Sequence, residues 1–261
     1  MMKGLGKQYR RLATGLAFGV FGGLGVFFQF LIFPGIVIVV RDEKRRKQIA
    51  RNVIHRTFQA FIAFIRAIGI LDWEGRGLEK LQAPGQLILA NHLTLIDVVF
   101  LFSFVPNACA IVKSSLAKNP FTWGALYAAG YITNDGGPEL IKDCVRELKS
   151  GSSLIIFPEG TRTAPGTMPK LKHGAMITAL ESNVDPTMVK ITCEPISLTK
   201  GAHWWDVPDR AMYFTFEVLG KLPIEPFKEL YESTPAKGVR ALSREIFRVL
   251  FPNLVDQSTK R

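Results

Sequence analysis

Gln86-Leu87-Ile88-Leu89-Ala90-Asn91-His92-Leu93-Thr94-Leu95-Ile96-Asp97-Val98-Val99-Phe100-Leu101 is the stretch from which the rest of the chain can be read. A short apolar run opens it, the polar pair Asn91-His92 interrupts it, and a second apolar segment follows, so it reads as a strand, a tight junction and a helix. On one straight helix, side chains five residues apart point about 140° away from each other. His92 and Asp97 therefore meet only if His92 lies in the junction and Asp97 in the first helical turn, with the carboxylate reaching back to the imidazole. A carboxylate so placed fixes the imidazole tautomer and stabilises the imidazolium that forms when the ring takes a proton. The chain contains no Gly-x-Ser-x-Gly elbow and no cysteine in a nucleophile motif, which leaves His92 to activate a hydroxyl of a substrate. The same residues admit a plainer reading: Thr94 as an N-cap, Asp97 as a first-turn acid favoured by the helix dipole, and His92 as a hydrogen-bonded strand end.

A second strand, Ser153-Leu154-Ile155-Ile156-Phe157, runs into Pro158-Glu159-Gly160-Thr161-Arg162. Proline cannot donate to a ladder and glycine tolerates angles closed to other residues, so the strand is expected to end there in a tight turn. Thr161 and Arg162 then project from a strand end, where a hydroxyl, backbone N–H groups and a guanidinium fork suit a phosphate. An ordinary turn with a solvated arginine is the alternative. Glu159 either holds the turn or binds substrate.

Asn91-His92-x4-Asp97 followed by Phe157-Pro158-Glu159-Gly160-Thr161-Arg162 resembles the glycerophospholipid acyltransferase family, and within it the 1-acylglycerol-3-phosphate (lysophosphatidate) acyltransferases. The resemblance implies transfer without a covalent acyl-enzyme, with His92 as general base, Asp97 as its partner, and Glu159, Gly160, Thr161 and Arg162 holding the acceptor's phosphate. The donor it implies is an acyl thioester, acyl-CoA or acyl carrier protein, used as a substrate with no bound cofactor. The segment from Ile111 through Lys113 to Gly136 is similar to the family's second block, but Gly136 stands where an arginine that helps bind the acceptor is usual, and Lys113 is the candidate replacement charge. Pro195-Ile196 is similar to the last block, with an unusual Cys193-Glu194 before it. Leu93 occupies a position where the lysophosphatidate branch commonly has glutamine. These departures leave open another lyso-lipid acceptor, such as an amino-acid-based lipid. A transacylase or hydrolase using the same pair, and a non-catalytic lipid-binding protein, are the other readings.

The 261 residues suffice for one sizeable domain, and a net charge of +11 favours anionic membranes, acidic carriers or nucleic acid. No zinc-finger spacing or RNA-binding signature points to nucleic acid. Cys109, Cys144 and Cys193 show neither metal spacing nor a disulfide framework, so no metal is expected and a reducing compartment fits.

Leu12 to Val40 is nearly free of charge, with Lys3, Lys7, Arg10 and Arg11 before it and Arg41, Lys44, Arg45, Arg46 and Lys47 after it. It lacks the short apolar core and cleavage site of a signal peptide, and it is expected to be kept as a membrane attachment. Basic residues at both ends give no clear orientation, and Pro34-Gly35 offers a break, so a re-entrant helix with both ends on the cytoplasmic side competes with a single tilted span. From Arg41 to Leu71 the pattern is that of an amphipathic helix, which either lies on the bilayer or packs on the catalytic domain. Trp204-Trp205 is a candidate interfacial anchor or a core pair.

Beyond Gly75 and Gly77, strands are expected at 86–90, 108–112, 131–133, 153–157, 188–192 and 212–218, and helices at 94–104, 121–129, 138–149, 174–182 and 237–250. This alternation implies an α/β fold with a mixed, largely parallel sheet flanked by helices, preceded by an N-terminal membrane-associated helical segment. The organisation expected is an anchor and amphipathic helix over 1–70, an acyltransferase domain over 71–255 facing the cytoplasm, and a polar tail over 256–261. Both motifs fall where strands give way to turns, at one rim of the sheet.

Overall fold

The computed structural model describes residues 2–254; the polar tail lies outside the described residues. The strands are Leu71–Arg76 (β1), Leu87–Ala90 (β2), Ala108–Val112 (β3), Ile132–Thr133 (β4), Ser153–Ile156 (β5), Thr187–Glu194 (β6) and Met212–Lys221 (β7). They form one sheet in the order β1-β7-β6-β2-β5-β3-β4, in which every neighbouring pair is parallel except β6 with β7. The C-terminal ends of β2, β3, β4, β5 and β6 therefore share one rim. β2 is apolar and buried at every position, the pattern of a strand covered on both faces. Ile88 and Ala90 point into one layer of core, Leu87 and Leu89 into the other.

The helices are Met2–Phe27 (α1), Phe33–Val39 (α2), Glu43–Ala67 (α3), Asp97–Phe104 (α4), Ser114–Ala117 (α5), Trp123–Ala129 (α6), Pro138–Lys149 (α7), Gly174–Ser182 (α8), Glu225–Ser233 (α9) and Pro235–Leu250 (α10). Residues of α7, α8 and α10 cover one face of the sheet; α4 and α3 cover the other, with α1 outside them. Phe100 of α4 lies 4.6 Å from the ring of Phe216 and 5.1 Å from that of Phe214, both on β7. Burying such a ring contributes about 1.5–3 kcal/mol relative to leaving it in water. This anchor fixes α4 one turn beyond its first residue, Asp97.

The apolar N-terminal run does not break at Pro34-Gly35. α1 passes through a wider π-type turn, Phe28–Ile32, directly into α2, with Pro34 in the first turn of the new segment. A proline there has no N–H to offer, and a change of hydrogen-bond step just before it absorbs the mismatch. Gly6–Val39 is the one stretch among the described residues long and apolar enough to cross a membrane. It is also fastened to the rest of the fold near its start and again at Gln29. Tyr9 Oη donates to Ile68 O at 3.0 Å, Arg10 Nε to Pro208 O at 3.0 Å and Arg11 Nε to Trp205 O at 3.2 Å. Gln29 Nε2 donates to Pro120 O at 2.7 Å.

α3 turns back along α1, where Phe21 meets Phe61 at 5.1 Å, and its apolar face packs on the α/β layer. Arg51, one of the charges in its amphipathic pattern, is buried inward: it donates to Ala129 O, Ser152 Oγ and Glu147 Oε2 at 2.7–2.9 Å.

Candidate active site

The centre of the rim is the end of β2. Asn91, the first residue beyond the strand, replaces the ladder with its side chain: Nδ2 donates to Ile191 O at 2.8 Å, and Oδ1 accepts from Ile191 N at 2.7 Å. Residues 91–96 are a turn rather than the first turn of a helix, and α4 starts at Asp97 instead of the expected Thr94. The reason is visible in the carboxylate. Asp97 is fully buried, and it accepts from His92 Nδ1 at 3.0 Å, Leu93 N at 2.6 Å, Thr94 N at 2.7 Å and Thr94 Oγ1 at 2.6 Å. Thr94 is thus part of a knot around Asp97, and it caps no helix.

An ionised carboxylate only accepts, so Nδ1 carries the hydrogen and Nε2 keeps its lone pair. No acceptor or donor within the described residues occupies Nε2. The ring stacks on Phe157 at 4.1 Å, and its side chain retains 14% exposure, enough for a small group to reach Nε2. The arrangement is an imidazole oriented by a buried carboxylate and open on one side.

β5 lies beside β2 and brings the second motif. Glu159 is 3% exposed, and its Oε1 accepts from His92 N at 2.6 Å while Thr163 N donates to His92 O at 3.0 Å. Both main-chain groups of the histidine are thereby held by the neighbouring loop. Of the two roles open to Glu159 from sequence, this is the geometry of holding. Its Oε2 is buried without a partner, and burial pushes its carboxyl up to about 7, against the lowering effect of the His92 N–H bond. A folded-state pKa above the ordinary glutamate value of 4.5 means that this group's stabilisation is fully present below about pH 4.5 and is lost as pH rises through about 7. Glu159→Gln keeps an acceptor for His92 N and removes the charge. The urea midpoint of the wild type is expected to fall over that window more than the variant's; equal slopes would contradict the assignment.

Gly160 stands at φ +68°, the left-handed region, with Lys172 Cγ 3.1 Å from where a Cβ would be. The backbone there favours glycine, and a side chain would also press on the lysine stem lying over it. Thr161 is exposed. Arg162 spends one nitrogen internally: Nη1 donates to Leu198 O at 2.9 Å and Thr199 O at 3.1 Å. Its Nε and Nη2 have no acceptor among the described residues, so half of the fork is fixed and half is open.

Leu198 belongs to the loop after β6, the other neighbour of β2. It adopts φ +54° while buried, an unfavourable conformation for a leucine. Its carbonyl also accepts from Leu95 N at 3.1 Å, so one backbone group ties the loop that follows His92 to Arg162. Sequence reasoning missed Leu198 and Thr199, because carbonyls leave no signature in side-chain identity. Phe157, in sequence a strand end and the first residue of the second motif, gains its stacking on His92 only in the fold.

Lys113 is exposed at the end of β3, two strands from β2, or roughly 10 Å along the rim. Gly136 is in the loop after β4, one strand further out. Among the described residues neither is hydrogen-bonded to His92, whose partners are Asp97, Glu159 and Thr163.

Residues 73–199 match the model of a protein family described as acyltransferase. The chain is 38% identical over 116 residues to a 1-acyl-sn-glycerol-3-phosphate acyltransferase of Helicobacter pylori, covering 40% of this chain and 48% of that protein. It is 30% identical over 160 residues to a protein of the same name from Pseudomonas aeruginosa, covering 59% and 60%. The matches thus span about half the length of these relatives. The fold is shared with the crystal structure of the 1-acyl-sn-glycerophosphate (LPA) acyltransferase from Thermotoga maritima, at a TM-score of 0.61 and 21% identity over 93% of this chain and 99% of that one. Both motifs lie within residues 73–199, the segment of this chain that is similar to the acyltransferase family model.

Proposed function

We propose that the protein is a membrane-associated O-acyltransferase that moves an acyl chain from a thioester to the hydroxyl of a lysophosphatidate-like acceptor. The observation that carries this reading is the His92–Asp97 pair at the rim, with Nδ1 committed to the carboxylate and Nε2 open. The acceptor hydroxyl attacks the thioester carbonyl as its proton passes to Nε2. The tetrahedral intermediate then expels the thiolate, which takes that proton from the imidazolium, so the enzyme ends as it began. Asp97 stabilises the imidazolium between the two steps. The donor is acyl-CoA or acyl carrier protein, whose acidity suits a chain of net charge +11.

The acceptor's phosphate is held by the open half of Arg162, with Thr161 and Lys172 beside it. Two donors presented in one plane match two phosphate oxygens. Arg162→Lys keeps the charge and loses this fork. It is expected to raise the KM for lysophosphatidate by roughly 10–100-fold, as loss of a charge-assisted pair worth about 1.5–3 kcal/mol would, with a much smaller change for the thioester. Transfer to the phosphate-free monoacylglycerol should be slow in the wild type and unaffected by the variant. Equal use of both acceptors by the wild type would refute the phosphate assignment.

Membrane association falls to the N-terminal helical hairpin. Leu12, Leu16, Leu31, Ile38 and Val39 are exposed along it. The bonds at residues 9–11 and 29 are separated by about 30 Å of helix, so α1 lies along the domain for its length. We favour insertion parallel to the membrane surface, with both ends on the cytoplasmic side, over a span that would carry the fastened domain into the bilayer.

A further inference from the structure

Gln29 is a polar residue inside the apolar N-terminal helix and is 5% exposed. Its amide donates to Pro120 O at 2.7 Å, and its Oε1 accepts from Ala125 N at 3.2 Å. It clasps the segment that follows β3. That segment presents to solvent Leu116, Phe121 (60% exposed), Trp123 (53%) and Tyr127 (48%). Their surface is continuous with the hairpin: the Phe121 ring meets exposed Phe30 at 6.1 Å, Trp123 stacks on Tyr127 at 5.4 Å, and the Arg46 guanidinium lies 5.2 Å from the Tyr127 ring. Exposed Lys113 and Lys118 belong to the same segment, and exposed Lys44 and Arg45 immediately precede Arg46 on α3. Large aromatic rings clustered in water, adjoining an apolar helix and accompanied by cations, match the boundary between anionic headgroups and acyl chains.

Resting on the reading that the hairpin enters the membrane, we propose that Lys113–Ala129 is a second docking element, which inserts Phe121, Trp123 and Tyr127 beside Phe30 into a bilayer containing anionic lipid. This segment leaves the sheet at the rim that carries His92. Its insertion therefore turns that rim toward the lipid, from which a lyso-lipid is drawn, and Gln29 makes the two elements move as one.

The test uses the full chain and vesicles of phosphatidylcholine with phosphatidylglycerol. The three native cysteines are buried, so a cysteine introduced as Phe121→Cys, or as Leu31→Cys on the hairpin, is the accessible site for an environment-sensitive dye. Both labels are expected to be quenched by brominated acyl chains and shielded from aqueous iodide. A protected label at 31 with a water-exposed label at 121 overturns this proposal alone; water exposure at both overturns the membrane reading as well. In a second measurement, Phe121→Asp combined with Trp123→Asp is expected to weaken vesicle binding by about tenfold or more. Its transfer to a short-chain acceptor in detergent should stay at the wild-type rate. Unchanged vesicle affinity would contradict the proposal.

Discussion

Replacing His92 with alanine is expected to lower kcat for acyl transfer by roughly 10³-fold, within the ~10²–10⁴-fold that a positioned general base supplies. The effect should be confined to chemistry. The ring is partly exposed, its only side-chain hydrogen bond among the described residues is to Asp97, and it stacks on Phe157. The main-chain bonds to Glu159 and Thr163 survive truncation. Vesicle binding and the circular dichroism melt should therefore stay near wild type. A kcat within tenfold of wild type would remove His92 from the proposed role.

Asp97→Asn is expected to cost a comparable factor, on the order of 10³-fold in kcat, by a different route. Asparagine is nearly isosteric, and with its oxygen toward His92, Leu93 and Thr94 N it can keep three of the four bonds now made to the carboxylate. Thr94 Oγ1 would then have to turn and accept from the new amide. What is lost is the negative charge that steadies the imidazolium. Asp97→Ala, in contrast, leaves buried donors unpaired, at about 1–3 kcal/mol for each group that water cannot reach. The two variants should therefore share low activity and differ in urea midpoint. Near wild-type kcat in the well-folded Asn variant would show that the carboxylate serves the fold alone.

The central elements were legible because their chemistry is local. An apolar run too short for a helix, ending in Asn91-His92, reads as a buried strand, and β2 and β5 lie where their patterns place them. α7 and α8 have the expected bounds, Pro138–Lys149 and Gly174–Ser182. Edge elements were not. β1 has the sequence Leu71-Asp-Trp-Glu-Gly-Arg76, pairs with β7 alone and is half exposed, so nothing selects a continuous apolar run. α9 buries no residue and offers only a proline at its start.

Leu93 shows why a departure from a family pattern can be read too heavily. Its contribution at Asp97 is a backbone N–H, which glutamine would supply equally. Arg162 shows the opposite limit. Half of its fork is taken by carbonyls 36 and 37 residues later in the chain, and the adjacency of β6 to β2 that brings them there is a property of strand order, invisible in local pattern. The Gln29 clasp is similar: a lone amide in an apolar helix acquires meaning only once Pro120 and Ala125 are seen beside it.

The most direct test of the account is product formation by the purified protein reconstituted in lipid vesicles, with an acyl thioester donor and a panel of lyso-lipid acceptors, run beside His92→Ala. Diacyl product from lysophosphatidate that requires the thioester and vanishes in the variant is the predicted result. Thioester-dependent product that persists in the variant, or release of free fatty acid in place of transfer, would contradict it.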